Sequence, residues 1–251
     1  MIQTLDHGPV RELRLNRPPA NALSPELLSA LRAGVENAPC AGARALVLSG
    51  TPGWFSGGLD VPHLLELDRP SIANAWRNLY GLLRSLAVST VPVAAAITGH
   101  APAGGTVMAI FCDVRFAAEG ELKLGLNEVV VGIPLPGIIL QALRRLVGPR
   151  EAEKLSVTGQ LIAAEEARRI GLVDEVVSPE RVVERAIAWC HGILALPPRA
   201  MAITREAARA DLVAICDGME GELAGLVEMW FSDETQRVLR EMVARLARKR
   251  T

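Results

Sequence analysis

Three short segments hold the residues best equipped for chemistry. Phe55-Ser56-Gly57-Gly58-Leu59-Asp60 and Pro102-Ala103-Gly104-Gly105-Thr106 are glycine-rich turns, and Gly125-Leu126-Asn127-Glu128 brings one carboxylate after them. Adjacent glycines allow positive φ and close backbone approach. Each turn can therefore aim a bare N–H, that of Leu59 or of Gly104, at one anionic oxygen. Glu128 stands between apolar stretches, 124–126 and 129–131. Desolvation there raises a carboxyl pKa towards neutrality, which suits a general base. Two donors and one base serve enolate chemistry, which needs no metal, nucleophile or redox cofactor.

Each segment also has a plainer alternative. The first turn also reads as a strand-to-helix loop, the second as tight helix–sheet packing, and Glu128 as a structural carboxylate capping a turn. A nucleotide-phosphate loop fits poorly, because neither GxGxxG nor GxxxxGK(S/T) is present. Ser56 as a nucleophile lacks a supporting histidine motif. Asn127 reads as a turn residue or as a partner of Glu128 or substrate. His100 is expected to bond locally, Asp60 to tether its own loop, and Asp113 to fix the sheet.

The elements that must position these residues alternate in type. Val10 to Leu15, Arg44 to Leu48, Val91 to Ile97 and Val114 to Ala117 read as strands. Ser24-Pro25-Glu26 is an N-cap, N1 proline and first-turn acid, opening a helix with Leu27, Leu28, Leu31 and Val35 on one face. Helices fit Ser71 to Leu86 and Gly104 to Phe111. Past Pro136 the pattern is helical: 138–147, 151–157, 163–170, 179–195, 199–210, 218–231 and 234–248, with a short strand within 172–177. Alternating strands and helices predict an α/β layered core with right-handed crossovers. No linker or repeat divides the chain, so 1–195 reads as the core and 196–251 as a helical region of the same unit.

The 251 residues suffice for a large core without disulfide or metal staples. Aromatic residues are only 4% against 50% hydrophobic, so that core is built from Ala, Leu, Val and Ile. With 27 basic and 28 acidic residues, bulk charge argues against a nucleic-acid surface. Cys40, Cys112, Cys190 and Cys216 form no CxxC pair and read as buried free thiols of a reducing compartment. The four histidines show no metal-ligand spacing, so no metal is expected. No apolar run approaches the ~20 residues of a membrane span, and Asp6 and Arg11 interrupt any signal peptide. These features predict a cytoplasmic protein acting off the membrane.

On Phe55 to Asp60, on Gly99 to Gly105 with Cys112-Asp113 behind it, and on Gly125 to Glu128, the chain resembles the crotonase (enoyl-CoA hydratase/isomerase) superfamily over nearly its whole length. Asn16-Arg17-Pro18-Pro19-Ala20-Asn21-Ala22-Leu23 resembles the family's CoA-contacting signature, and Trp230 to Leu246 the last helices of its Δ3,Δ2-enoyl-CoA isomerases. The resemblance implies a spiral of ββα turns with a helical C-terminal trimerisation region. The assembly would be a homotrimer or a dimer of trimers, with the apolar faces of Leu223, Leu226, Val227 and Trp230 offered for burial between subunits. The implied substrate is an acyl-CoA thioester, with no cofactor beyond its coenzyme A. Its carbonyl oxygen would lie on the N–H groups of Leu59 and Gly104, with Glu128 as acid–base. Ala20, Ala22, Ser56, Gly57, Gly58, Asp60 and Asn127 would contact substrate or CoA. Lys249 and Arg250 would meet CoA phosphates of a neighbouring subunit or form a solvated basic tail.

The hydratases carry a second glutamate three residues after the glycine matching Gly104, where this chain has Val107. The implied activity is therefore a shift of an enoyl-CoA double bond from C3 to C2. The alternatives are a hydratase, another crotonase-fold lyase or hydrolase, or a non-catalytic CoA- or RNA-binding relative.

Overall fold

The computed structural model describes residues 1–248; Lys249 and Arg250 lie outside the described residues. Six strands form the main sheet: β1 (Ile2–His7), β2 (Val10–Leu15), β3 (Ala45–Ser49), β5 (Val93–Ile97), β7 (Val114–Ala118) and β9 (Glu175–Val177), in that spatial order. The first pair is antiparallel and the remaining pairs are parallel. Strands β3, β5 and β7 are buried at every residue, which accounts for their continuous apolar runs.

Between these strands the chain repeatedly visits a second, smaller sheet: β4 (Gly53–Trp54), β6 (Gly99–Pro102) and β8 (Leu124–Gly125), all parallel. Each circuit lays one strand in the main sheet and the next in the small one, which is the expected ββα spiral. Close stacking of β6 on β4 needs a bare backbone, since a Cβ on Gly99 would lie 1.9 Å from the carbonyl carbon of Gly53.

Helix α1 (Pro25–Asn37) starts as expected, with the Ser24 hydroxyl accepting from the Leu27 N–H. It packs against α3 (Arg69–Val88), which buries Trp76, Leu79, Tyr80 and Leu83. The short α4 (Gly104–Ile110) packs on the small sheet, and the short α2 (Val61–Leu64) meets the last helix of the chain. Helix α5 (Gly137–Thr158) breaks at Gly148, giving the two helical runs read from the sequence. Then follow α6 (Ala164–Arg169), α7 (Val182–Leu194) on the main sheet, α8 (Pro198–Ala208), α9 (Ala210–Ile215), α10 (Met219–Trp230) and α11 (Asp233–Arg248). No single helix among the described residues is long and apolar enough to cross a membrane. The one bent pair of suitable composition breaks by 113°, and its α7 part buries Val182, Ala186 and Cys190.

Several expectations need correction. Leu223, Leu226, Val227 and Trp230 are buried within the single chain, so they close its own core rather than offering a face to another subunit. Cys40 is exposed on the turn after α1; the other three cysteines are buried free thiols. Strand β1 escaped sequence reading because its residues are largely exposed and polar. The strands of the small sheet are too short to show a period.

Candidate active site

The three chemistry-bearing segments leave the small sheet at the same end. Residues 55–60 follow β4, 103–105 follow β6 and 126–128 follow β8, and the strand register pairs Trp54 with His100 and Pro102 with Gly125. Segments far apart in sequence thus emerge side by side.

In the first turn most polar backbone groups are already used. The Gly57 N–H donates to Ala20 O (2.7 Å), the Gly58 N–H to Ser56 Oγ (3.2 Å) and the Asp60 N–H to Leu23 O (3.1 Å), while Gly58 O accepts from the Leu23 N–H (2.8 Å). The Leu59 N–H has no acceptor among the described residues. In a trans peptide the C=O and N–H point in opposite directions. With Gly58 O turned towards the 20–23 segment, the Leu59 N–H faces away from it, on the cavity side.

In the second turn Ala103 holds φ 46° and ψ −119°, a strained conformation for a residue with a Cβ. The Ala103 N–H is bonded to Gly125 O (2.8 Å), while the Gly104 N–H, first in α4, has no acceptor among the described residues. The two turns touch. A Cβ on Gly58, where φ is +83°, would lie 3.3 Å from Gly104 N; one on Gly104 would lie 2.8 Å from Leu23 Cδ1 and 3.5 Å from Leu59 N. Glycine at both positions lets two unpaired donors sit side by side.

Glu128 opens a 3-10 turn (Glu128–Val131) and is 8% exposed. Its Oε2 is buried without a hydrogen-bond partner among the described residues. Burial pushes its carboxyl up to about 7, outweighing a lowering hydrogen bond from its own backbone. Leu59, Gly104 and Glu128 all line one cavity of about 810 Å³. Arg17, Pro19, Ala20, Ala22 and Trp54 also line it, as do the apolar Trp76, Leu79, Ile133, Ile139, Met242 and Leu246. Asp60 is the other carboxylate in the wall, and it is held by Arg17 at 2.5 Å. Val107 is buried and also lines the cavity. No group of three or more His, Cys, Asp or Glu among the described residues is placed to hold a metal ion.

Of the residues assigned to substrate contact, Ala20, Ala22, Gly57, Asp60 and Asn127 line the cavity. Ser56 and Gly58 are not among the lining residues. Ser56 is fully buried, its hydroxyl donating to Asn21 O (2.9 Å) and accepting from Gly58 N–H, and Gly58 supplies the positive φ that turns the chain. Asp60 does tether its loop, accepting from the His63 N–H as well as from Arg17. His100 bonds locally, accepting at Nδ1 from Lys123 N–H and lying 4.9 Å from the Trp54 ring. Asp113 fixes the sheet through Val93 N–H and ties it to Arg205 and Arg209. Sequence reading missed Arg17, Trp54 and Trp76 as wall residues, and Met242 and Leu246 of α11. The first stood inside a quoted motif; nothing local to α11 announces its proximity to Glu128.

A family model described as enoyl-CoA hydratase/isomerase matches residues 7–244. The sequence is 30% identical over 254 residues to enoyl-CoA delta isomerase 1, mitochondrial, of Mus musculus, spanning all of this chain and 88% of that protein. It is 32% identical over 194 residues to a probable enoyl-CoA hydratase, EchA17, of Mycobacterium tuberculosis, spanning 77% of this chain and 74% of the relative. Among solved structures, human mitochondrial delta3-delta2-enoyl-CoA isomerase superposes with a TM-score of 0.94 at 29% identity, over 100% of this chain and 99% of that one.

Proposed function

The chain belongs to the enoyl-CoA hydratase/isomerase family, and on that premise we propose that it is an enoyl-CoA isomerase moving a double bond from C3 to C2 of the acyl chain. One observation carries the choice. Among the described residues Glu128 is the cavity carboxylate free of an ion pair, and Val107 stands three residues after Gly104, where the resemblance puts the hydratases' second glutamate.

In the proposed reaction the thioester oxygen lies on the N–H groups of Leu59 and Gly104. Carboxylate Glu128 removes a proton from C2 of the 3-enoyl thioester. The electron pair moves through the carbonyl, leaving a dienolate whose oxygen the two donors stabilise, each worth roughly 2.7–4 kcal/mol. The protonated Glu128 then returns the proton at C4, and the double bond ends conjugated with the carbonyl. Atoms balance without water, metal or redox partner, and the carboxyl ends as it began. A buried acid–base near neutrality suits both transfers, contributing roughly 10²–10⁴ in rate. The apolar lining residues would take the acyl chain, and the 17–22 segment the coenzyme A. We also propose a homotrimer or dimer of trimers as the assembly.

Hydration is the second reading, favoured by the similarity to the probable mycobacterial hydratase. Incubation with 3-enoyl-CoA and with 2-enoyl-CoA, followed by mass spectrometry and NMR, separates the two. Isomerisation leaves the mass unchanged and is expected to dominate. Hydration of 2-enoyl-CoA faster than isomerisation of 3-enoyl-CoA would overturn the isomerase assignment.

A further inference from the structure

Asn21 lies behind the cavity wall, fully buried, with φ +50°, a conformation that Asn and Gly adopt with little strain. Its side chain bonds across to the first turn. Nδ2 lies 3.1 Å from Thr51 Oγ1, 3.0 Å from Trp54 O and 3.2 Å from Phe55 O, while Oδ1 accepts from the Arg17 N–H at 2.8 Å. The backbone carbonyl of Asn21 accepts from Ser56 Oγ, which in turn accepts from the Gly58 N–H. On the far side, the Leu23 N–H holds Gly58 O. The peptide between Gly58 and Leu59, whose N–H has no acceptor among the described residues, is held at its carbonyl by Leu23, and the peptide before it is held at the Gly58 N–H by Ser56.

We infer that Asn21 is a positioning residue for the oxyanion site: its side-chain amide, on the carbonyls of Trp54 and Phe55, and its backbone carbonyl, on Ser56, fix the turn that aims the Leu59 N–H at the thioester oxygen, an assignment that rests on the enolate chemistry proposed above. Asn21 is not among the residues lining the cavity. Its amide anchors the carbonyls of Trp54 and Phe55, and its backbone oxygen orients the hydroxyl that holds Gly58. Loosening these bonds frees the peptide to rotate, and the donor leaves its line. The Gly104 N–H, set by the strained Ala103, is unaffected, so polarisation should fall without vanishing.

The test uses butanoyl-CoA labelled with 13C at the thioester carbonyl, a saturated ligand that the protein can neither isomerise nor hydrate. Infrared difference spectra report how far the bound carbonyl stretch moves to lower wavenumber. Asn21→Gly keeps the positive φ while deleting the side-chain bonds, and Ser56→Ala deletes the relay. For each folded variant, the carbonyl shift is expected to fall to about half that of the parent. Its kcat on 3-enoyl-CoA should drop about 10²-fold, the scale of a small misplacement of reacting groups, with the Kd for butanoyl-CoA within about threefold. Circular dichroism and thermal melting check folding. If Asn21→Gly does not fold, Ser56→Ala decides. A folded variant keeping the parent's carbonyl shift and kcat overturns the positioning role. A parent that binds the ligand with no shift at all refutes the oxyanion site itself, and the inference falls with it. A parent that shows the shift but does not isomerise 3-enoyl-CoA refutes only the reaction; the variants' shifts still judge Asn21.

Discussion

Glu128 is a carboxyl whose ionised form the fold disfavours. Its ordinary value of 4.5 is raised to about 7 by burial. The neutral form is therefore favoured by folding: its contribution is fully present below about pH 4.5 and is lost as pH rises through about 7. Above that, keeping the charge buried costs about 3 kcal/mol. Glu128→Gln removes that penalty, so the variant should melt higher than the parent at pH 8, with the gap closing by pH 4.5. Melting curves across this range check the sign, and a gap that widens towards acid would contradict it. Activity runs the other way, because the base must be ionised to take the C2 proton. The kcat/KM of the parent for 3-enoyl-CoA should rise with pH along a limb centred near 7, the value of the free enzyme. Glu128→Gln should lose at least roughly 10²–10⁴ in kcat while still binding acyl-CoA. If kcat stays within threefold of the parent, Glu128 is not the base.

At the scale of elements, the turn carrying Glu128 is clamped by the last helix. Gly132 ends the 3-10 turn in the left-handed region, with φ +77°, and its carbonyl accepts from Thr235 Oγ1 at 2.5 Å. A Cβ on Gly132 would lie 3.3 Å from Thr235 Cα and 3.4 Å from Val238 Cβ, so only glycine lets α11 pack this closely. The same helix lends Met242 and Leu246 to the cavity wall. Thr235 is 1% exposed, and Thr235→Val keeps its shape while leaving Gly132 O unpaired. That should destabilise the protein by roughly 1–3 kcal/mol and lower kcat more than it raises KM. Thr235→Ser should restore both. Equal kcat in the Val variant and the parent would show that the clamp serves stability alone. Met242→Ala should enlarge the acyl end, so the ratio of kcat/KM for long over short 3-enoyl-CoA chains should rise; an unchanged ratio would place the chain elsewhere.

For the whole molecule, the apolar faces of α10 are consumed inside the chain, and the exposed apolar surface near the site lies elsewhere. Val129 and Val130 pack against Gly159, two residues from Val157, which is 72% exposed. Valines left open beside the Glu128 turn suit burial in an assembly, in keeping with the proposed trimer or dimer of trimers. Light scattering at micromolar concentration should give three or six times the chain mass; a monomeric mass would count against the proposal.

The sequence by itself determined the local chemistry: glycines at 58 and 104, a glutamate between apolar neighbours, and valine at 107. These are properties of residue type and spacing, and the helix and strand periods around them are equally local. The buried strands β3, β5 and β7 and the start of α1 were legible for the same reason. Tertiary structure decided what faces what. The small sheet sets residues 55–60, 103–105 and 126–128 side by side, although its strands of two to four residues carry no readable period. It made Ser56 a buried relay and Asn21 a partner of a turn more than 30 residues away, and brought α11 across from the far end of the chain. Whether an apolar helical face meets another subunit or its own core depends on packing between distant segments, and such contacts leave no mark in a local pattern.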